Sequence, residues 1–238
     1  MREKKLCKQG ELRRAFVATL PVMTGYLVLG MGFGVILKTR GYGLGWCLAM
    51  SVCIYAGSMQ YVAIDLLSGG ASLLTAALTT LMVNARHLFY GISMVDKYQG
   101  AGRKKPYLIF ALTDETYSLV CKDDGQEEPA VRHRYDFTVS LLNQCYWVAG
   151  SVLGSLLGAV LPFDVTGIDF ALTALFVTVF VEQWLDSKDH SSALVGVGAT
   201  VLCLLLFGSE NFLIPSMLAI TLCLTALRAL KKGGAAHE

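Results

Sequence analysis

The sequence is poor in charge and carries no motif typical of a soluble enzyme. Only 16% of its 238 residues are Asp, Glu, Lys or Arg, whereas 54% are hydrophobic. Soluble domains have about 25% charged residues. The charges are grouped in short clusters between long neutral tracts. This pattern predicts a polytopic membrane protein in contact with the lipid bilayer, and a net charge of +2 gives no reason to expect a nucleic-acid partner.

Metal-binding and catalytic spacings are absent as well. The seven cysteines include no Cys-x-x-Cys pair, and an odd, scattered set argues against a disulfide framework or a zinc site. The sequence also lacks His-Glu-x-x-His and Gly-x-Ser-x-Gly, the motifs of metalloproteases and serine hydrolases. We therefore expect no cofactor, no metal and no enzyme activity. The alternative of an intramembrane enzyme would use His87 beside Asp114 or Glu115.

Apolar stretches suited to membrane helices run through most of the chain. A run of about 20 apolar residues spans the hydrocarbon core of a bilayer. The candidate segments are 16–37, 44–67, 72–94, 107–121, 137–161, 169–185, 191–207 and 212–227. They predict an all-α fold, a polytopic transmembrane helix bundle of seven to eight helical segments. The predicted parts of the chain are a basic cytoplasmic N-terminus (1–15), one transmembrane domain (16–230, with a polar loop at 122–136) and a C-terminal tail (231–238).

The segment 107–121 is the difficult one. It is short for a span and has Asp114 and Glu115 near its middle, so it could be a shielded crossing, a re-entrant segment or a surface helix. Both chain ends are basic, which predicts that both lie in the cytoplasm and that the chain crosses eight times, 107–121 included. The basic loop 96–105 would then lie outside, against the same rule. A broken or incompletely crossing segment among the first three therefore stays open.

Polar groups at membrane depth mark the candidate site. Gln60 lies in an otherwise uncharged run and Arg86 lies well inside the third segment, where lipid offers no hydrogen-bond partner. The candidate substrate-binding residues are Tyr55, Gly57, Ser58, Gln60, Tyr61, Asn84 and Arg86. His87, Asp114 and Glu115 are candidates for proton coupling or for an ion pair with Arg86. Two alternatives stay open, that Gln60 only braces a broken helix and that Arg86 extends to the nearer interface.

Small residues predict close helix packing in two of the segments. The packing candidates are Pro21, Gly25, Gly30 and Gly34 in the first segment and Gly150, Gly154 and Gly158 in the fifth. Glycines four residues apart let two helix backbones approach each other.

A weak similarity between Gln60-Tyr61 and Gln183-Trp184, an echo between the two halves of the chain, suggests two structural repeats with interrupted helices. This architecture is common in secondary transporters.

Five groups of residues, taken in order, carry a family resemblance. They are Pro21-x-x-x-Gly25 with Gly30 and Gly34, Tyr55-Ala56-Gly57-Ser58-Met59-Gln60-Tyr61, Asn84-x-Arg86-His87, Thr113-Asp114-Glu115-Thr116-Tyr117 and Gly167-Ile168-Asp169-Phe170-Ala171-Leu172. With these groups the chain resembles the AzlC family, the large subunit of a bacterial branched-chain amino acid exporter.

The resemblance implies a function and partners. It implies a multi-pass permease in the bacterial inner membrane that exports leucine, isoleucine and valine by secondary active transport, which we expect to be proton-coupled. It also implies a small AzlD-type membrane subunit as a partner. A partner-dependent channel or a structural subunit of a membrane complex remains the alternative.

Overall fold

The computed structural model describes residues 2–121, 128–160 and 189–234, together with positions 170, 177, 180, 181, 184, 185 and 187. The chain divides into two compact units, Met1–Leu172 and Thr173–Glu238. Regular structure in the described ranges is helical, which confirms the all-α prediction. Most of the segment predicted over 169–185 lies outside the described residues, as does the second position of the echo, Gln183.

Seven α-helices form the first unit and two the second, within the described residues. They are α1 (Arg2–Thr39), α2 (Leu44–Cys53), α3 (Gly57–Ser68), α4 (Leu73–Ser93), α5 (Lys105–Phe110), α6 (Asp114–Val120), α7 (Pro129–Val160), α8 (Ser191–Asn211) and α9 (Leu213–Gly234), with a 3₁₀ turn at Gly102–Lys104 before α5. By length and composition alone, two described stretches could cross a membrane, Gly10–Thr39 in α1 and Ser191–Gly208 in α8. In the second unit, α8 and α9 pack together, and Gly208 turns the end of α8 with a φ of 73°.

The first unit is built around the pair α1 and α7, which run in the same direction. Glu11 pairs with Arg134 at 3.0 Å near the start of each helix, and the Thr19 hydroxyl lies 3.2 Å from that of Tyr146 further along. α1 continues through Pro21 without interruption. The two helices are therefore in contact over most of their length.

Glycines bring the two backbones together. A Cβ on Gly30 would lie 2.9 Å from the Trp147 carbonyl oxygen, and one on Gly150 would lie 2.7 Å from the Leu27 carbonyl oxygen. The other glycines behave in three ways. A Cβ on Gly34 or Gly154 would collide with the backbone of Ser151 or Met31, and one on Gly158 would lie 3.3 Å from Val35. A Cβ on Gly25 would have no described residue within 4 Å. Only residues without a Cβ fit the close positions, so this contact is a backbone-to-backbone seam.

The second predicted span, 44–67, is a hairpin. α2 ends at Cys53 and α3 begins at Gly57; between them Tyr55 adopts a left-handed backbone (φ 43°), which a side chain with a Cβ rarely occupies. The prediction of one continuous span here is wrong, and the alternative of a broken segment among the first three is confirmed. We call α2 and α3 the first hairpin.

Contacts along the first hairpin show that the chain reverses. α2 descends along α7, because Cys47 bonds to the Ser151 carbonyl and the later Val52 carbonyl accepts from Gln144. α3 then returns beside α1, and Asp65 near its end reaches Arg40, just beyond the end of α1, at 3.7 Å. Both ends of the first hairpin therefore lie at the C-terminal end of α1.

The segment 107–121 also reverses, from the opposite end of the unit. α5 ends at Phe110, and Thr113 caps α6 by accepting the Thr116 N–H at 3.2 Å. Val120 at the end of α6 lies beside Lys97, close to the start of α7. We call α5 and α6 the second hairpin, and the re-entrant alternative matches its geometry. The two turns meet where the Tyr55 and Phe110 rings lie 6.2 Å apart.

A buried ion pair holds the base of the second hairpin against α7. The Lys97 Nζ atom lies 3.5 Å from the Asp136 carboxylate and also donates to the Val120 carbonyl. The side chain of Lys97 is only 9% exposed and that of Asp136 only 1%. His133 bonds to the Lys97 carbonyl at 2.9 Å. Burial lowers the pKa of Lys97 and raises the pKa of Asp136, because each charge is removed from water.

Removing one partner of this pair is expected to destabilise the protein. Lys97→Met leaves the Asp136 charge buried alone, a loss of about 3–5 kcal/mol in unfolding free energy, and adding Asp136→Asn restores much of it. Because burial raises the folded-state pKa of Asp136, its protonated form favours folding. The defect of the single variant should therefore shrink as the pH falls below that pKa and grow as the pH rises through it. Thermal unfolding in detergent across pH measures this, and equal stability of the single and double variants would contradict it.

Candidate functional site

The turns of the two hairpins meet α4 at a cluster of polar side chains in the first unit. We call this cluster the hairpin junction and define it by the residues that bond there: Tyr26, Ser58, Arg86, Tyr90, Thr113, Asp114 and Glu115. The turns bring together parts of the chain that are far apart in sequence.

Arg86 is the centre of the hairpin junction. From α4, its Nη1 forms an ion pair with the Asp114 carboxylate in the first turn of α6, and its Nη2 donates to the Ser58 hydroxyl in the first turn of α3 at 2.9 Å. Tyr90 donates to the other Asp114 oxygen at 2.8 Å. The side chains of Arg86 and Asp114 are 31% and 23% exposed. One guanidinium group thus ties both hairpins together while it stays partly accessible.

Glu115 has a different environment from its neighbour Asp114. Its carboxylate accepts from the Tyr26 hydroxyl at 2.6 Å, and the same hydroxyl lies 2.6 Å from the Thr113 hydroxyl. Within residues 10–121 and 128–160, no salt bridge joins Glu115 to a basic side chain. A carboxylate that accepts from a tyrosine hydroxyl and forms no ion pair can gain a proton without breaking one.

Gln60 lies beside the hairpin junction and is completely buried. Its Oε1 accepts from the Trp147 indole N–H at 2.8 Å, and its Nε2 donates to the Ser51 hydroxyl at 3.3 Å. The Trp147 ring also touches Gly57, where an added Cβ would come within 3.0 Å. Gln60 therefore links α3 to α2 and to α7.

Two tyrosines of the first hairpin are also buried. The Tyr61 hydroxyl donates to the Leu29 carbonyl at 2.7 Å and fixes α3 to α1. Tyr55 lies at the turn, and its buried hydroxyl forms no hydrogen bond to the described part of the chain.

Asn84 and His87 lie one turn apart on α4. The Asn84 Oδ1 and the His87 Nδ1 are buried and make no hydrogen bond to any described residue. The His87 ring contacts the Tyr90 ring edge-on, with centroids 5.8 Å apart. This α4 face therefore keeps hydrogen-bonding capacity next to Arg86.

Several residues of the site were not foreseen from the sequence. Tyr26, Tyr90 and Trp147 supply the polar atoms that hold Glu115, Asp114 and Gln60. Aromatic residues inside apolar helices usually pack, and only the need of a buried indole N–H or hydroxyl for a partner could have pointed to them. Thr113 had a clearer signal, because threonine before two acids is a typical helix N-cap.

The fold and the site define an all-α protein with interrupted helices, buried charges and apolar stretches long enough to cross a membrane. A family model described as "AzlC protein" matches residues 21–161, a range that contains both hairpins and α7. A protein of Bacillus subtilis named "Branched-chain amino acid transport protein AzlC" is 46% identical over 218 residues, covering 91% of this chain and 85% of that protein. The chain belongs to the AzlC family.

Other relatives extend the similarity to further bacteria. An uncharacterized membrane protein of Helicobacter pylori (strain 26695) is 41% identical over 214 residues, covering 90% of this chain and 93% of its own length. Inner membrane protein YgaZ of Escherichia coli is 28% identical over 214 residues, covering 88% of this chain and 86% of its own. No solved structure matches.

Proposed function

We propose that this protein is a secondary transporter that exports branched-chain and similar small apolar amino acids, and that the hairpin junction is its binding site. The observation that carries the proposal is the double contact of Arg86 with Ser58 on one hairpin and Asp114 on the other. The printed name of the Bacillus subtilis relative supports the substrate class.

Arg86 and the start of α3 suit the carboxylate of an amino acid. Without substrate, Asp114 occupies Arg86. An incoming carboxylate replaces it, bonds to Arg86 and Ser58, and meets the positive end of the α3 dipole near Gly57. The released Asp114 then faces the substrate ammonium group. A zwitterion fits this arrangement, because each of its charges meets an opposite charge at the hairpin junction.

The other candidates support or line this site. Gln60 acts as a brace, since both ends of its amide are already bonded. Tyr61 fixes α3 through its bond to Leu29. Asn84 and Tyr55 keep buried polar atoms that can bond to the substrate or to a water beside it.

In the first unit α1 is long and apolar enough to cross the bacterial inner membrane, and we take α4 and α7, which are long enough but less apolar, to cross it as well. The two hairpins then enter the membrane from opposite sides. α1 and α7 run in the same direction, so the single return between them is α4. The basic loop 96–105 then lies on the same side as the basic N-terminus, in the cytoplasm, as loop charge requires. This multi-pass topology removes the conflict that a continuous span over 44–67 created.

Glu115 carries the coupling proton, with His87 as the alternative carrier. Glu115→Gln is expected to keep leucine exchange between the two sides of a membrane but to lose proton-driven accumulation, because the amide cannot bind and release a proton. Efflux of labelled leucine from loaded vesicles, with and without a protonophore, measures both. Asp65→Asn, which removes an exposed carboxylate at the end of α3, serves as the matched control and should behave like the unchanged protein. If Glu115→Gln still shows proton-driven efflux, Glu115 is not the carrier of the coupling proton and His87 becomes the candidate.

A small AzlD-type subunit completes the transporter. Flux of leucine, isoleucine and valine by the chain alone in liposomes, compared with flux after co-reconstitution with that subunit, tests this. Flux only in the presence of the subunit, and without an ion gradient, would favour the alternative of a partner-dependent channel. Absence of amino acid flux under both conditions would refute the proposed function.

A further inference from the structure

The side chain of Gln144 on α7 contacts both hairpins. Its Oε1 accepts from the Tyr107 hydroxyl of the second hairpin at 2.7 Å, and its Nε2 donates to the Val52 carbonyl of the first hairpin at 3.2 Å. A carbonyl can only accept, so the amide NH₂ group must face Val52, which leaves Oε1 for Tyr107. The two bonds therefore use opposite ends of one amide.

Val52 needs this bond because α2 ends directly after it. In a continuous helix its carbonyl would accept from the N–H of Ala56. Ala56 instead lies beyond the turn with an extended backbone (φ −134°, ψ 94°). Val52 lies at the surface of the chain, and where that surface meets lipid in place of water a carbonyl without a partner is costly. Gln144 supplies the missing donor and so stabilises the broken form of the first hairpin.

Tyr107 makes this stabilisation depend on the second hairpin. It lies one turn before Phe110, whose ring contacts Tyr55 at the turn of the first hairpin. If α5 moves away from α7, the Tyr107 hydroxyl withdraws from Gln144. The amide is then held at one end only and can rotate away from Val52.

We propose that Gln144 is a positioning residue that couples the two hairpins, so that movement of one loosens the other. The proposal rests on the proposed function for its consequence, that the hairpin junction opens to one side in response to the other. The coupling itself needs no knowledge of the substrate.

Cys53 provides a reporter for the first hairpin. It follows Val52 at the end of α2 and its side chain is not covered by protein. Its reaction with a water-soluble maleimide therefore depends on how readily water enters the membrane at the turn. The full chain is placed in liposomes with its other six cysteines replaced by serine. Tyr107→Phe, in the other hairpin, is expected to speed labelling about fivefold, the factor that loss of one ordinary hydrogen bond gives.

Gln144 variants show whether this effect passes through the amide. Gln144→Leu is expected to speed Cys53 labelling at least as much as Tyr107→Phe, and Tyr107→Phe should add nothing in that background. Gln144→Glu keeps an acceptor for Tyr107 but has no donor for Val52, and should behave like Gln144→Leu. In leucine efflux, Gln144→Leu should lower kcat several-fold with KM unchanged. A general loss of structure would lower the amount of folded protein but would not lower kcat selectively in the protein that remains.

Thr138→Val is the matched control. It removes one hydroxyl from α7 that, among the described residues, bonds only to the Arg134 carbonyl of the same helix, and it should leave labelling unchanged. The proposal is overturned if Tyr107→Phe labels like Thr138→Val, or if its effect adds in full to that of Gln144→Leu. The comparison of Tyr107→Phe with Thr138→Val tests the proposal even if Gln144→Leu fails to accumulate. If Tyr107 controls Cys53 through Gln144 but no amino acid is transported, the coupling stands and the proposed function fails.

Discussion

Replacing Arg86 with alanine is expected to abolish amino acid transport. The guanidinium group makes charge-assisted hydrogen bonds to both hairpins, each worth about 1.5–3 kcal/mol, so losing one such bond in substrate binding alone lowers transport by about 10- to 100-fold. The variant also leaves Asp114 without its cation. Leucine efflux, normalised to the amount of protein in the membrane, measures the effect.

Two further variants separate binding from folding. Arg86→Lys keeps the charge but cannot reach Ser58 and Asp114 as a planar fork, so it should restore folding more than transport. Arg40→Ala is the matched control, because Arg40 pairs with Asp65 at an exposed position outside the hairpin junction, and exposed pairs contribute little. Normal efflux by Arg86→Ala at normal abundance would show that substrate binds elsewhere.

Replacing Gly154 with leucine is expected to prevent the first unit from folding. The new Cβ would collide with the backbone of Met31 on α1, and a backbone cannot rotate out of the way as a side chain can. Overpacking of this kind costs about 1–3 kcal/mol even where side chains can adjust, so a larger loss is expected here. The amount of folded protein and its unfolding temperature in detergent measure the effect.

Gly25→Leu is the control for this substitution. Gly25 lies on α1 just over one turn before Gly30, but no described residue lies within 4 Å of a Cβ at that position. Leucine should be tolerated there and should even favour the helix, because glycine is a poor helix former. Equal unfolding temperatures for Gly154→Leu and Gly25→Leu would contradict the backbone-to-backbone seam.

Helix formation could be predicted from the sequence, whereas the reversals could not. Apolar length decides whether a segment can cross a membrane, and residues 44–67 have that length. At the reversal Tyr55 adopts a left-handed backbone, which its residue type does not indicate, and Gln144 bonds to Val52 from a position far away in the chain. Two clues pointed to a break: the basic loop 96–105, whose charge conflicted with three continuous spans before it, and Gln60, an amide inside an apolar run.

The charged residues of the candidate site could be predicted from the sequence, but the residues that bond to them could not. A charge in an apolar stretch is costly and therefore conspicuous, so Arg86 and Asp114 could be selected from the sequence. Tyr90 and Tyr26, which hold the two carboxylates, resemble ordinary packing residues until the fold brings them close. Gln60 was conspicuous for the same reason as Arg86, but only its bonds to Trp147 and Ser51 indicate a brace.

The glycine seam between α1 and α7 has a mechanical consequence. Gly30 of α1 faces the Trp147 carbonyl of α7, and Gly150 of α7 faces the Leu27 carbonyl of α1, so the backbone of each helix fits into gaps on the other. If one helix slid along the other, these carbonyl groups would collide with the next residues of the facing helix, and close-packed backbones resist such movement. We therefore expect the pair to act as a fixed frame, so that displacement during transport falls on the short helices of the two hairpins.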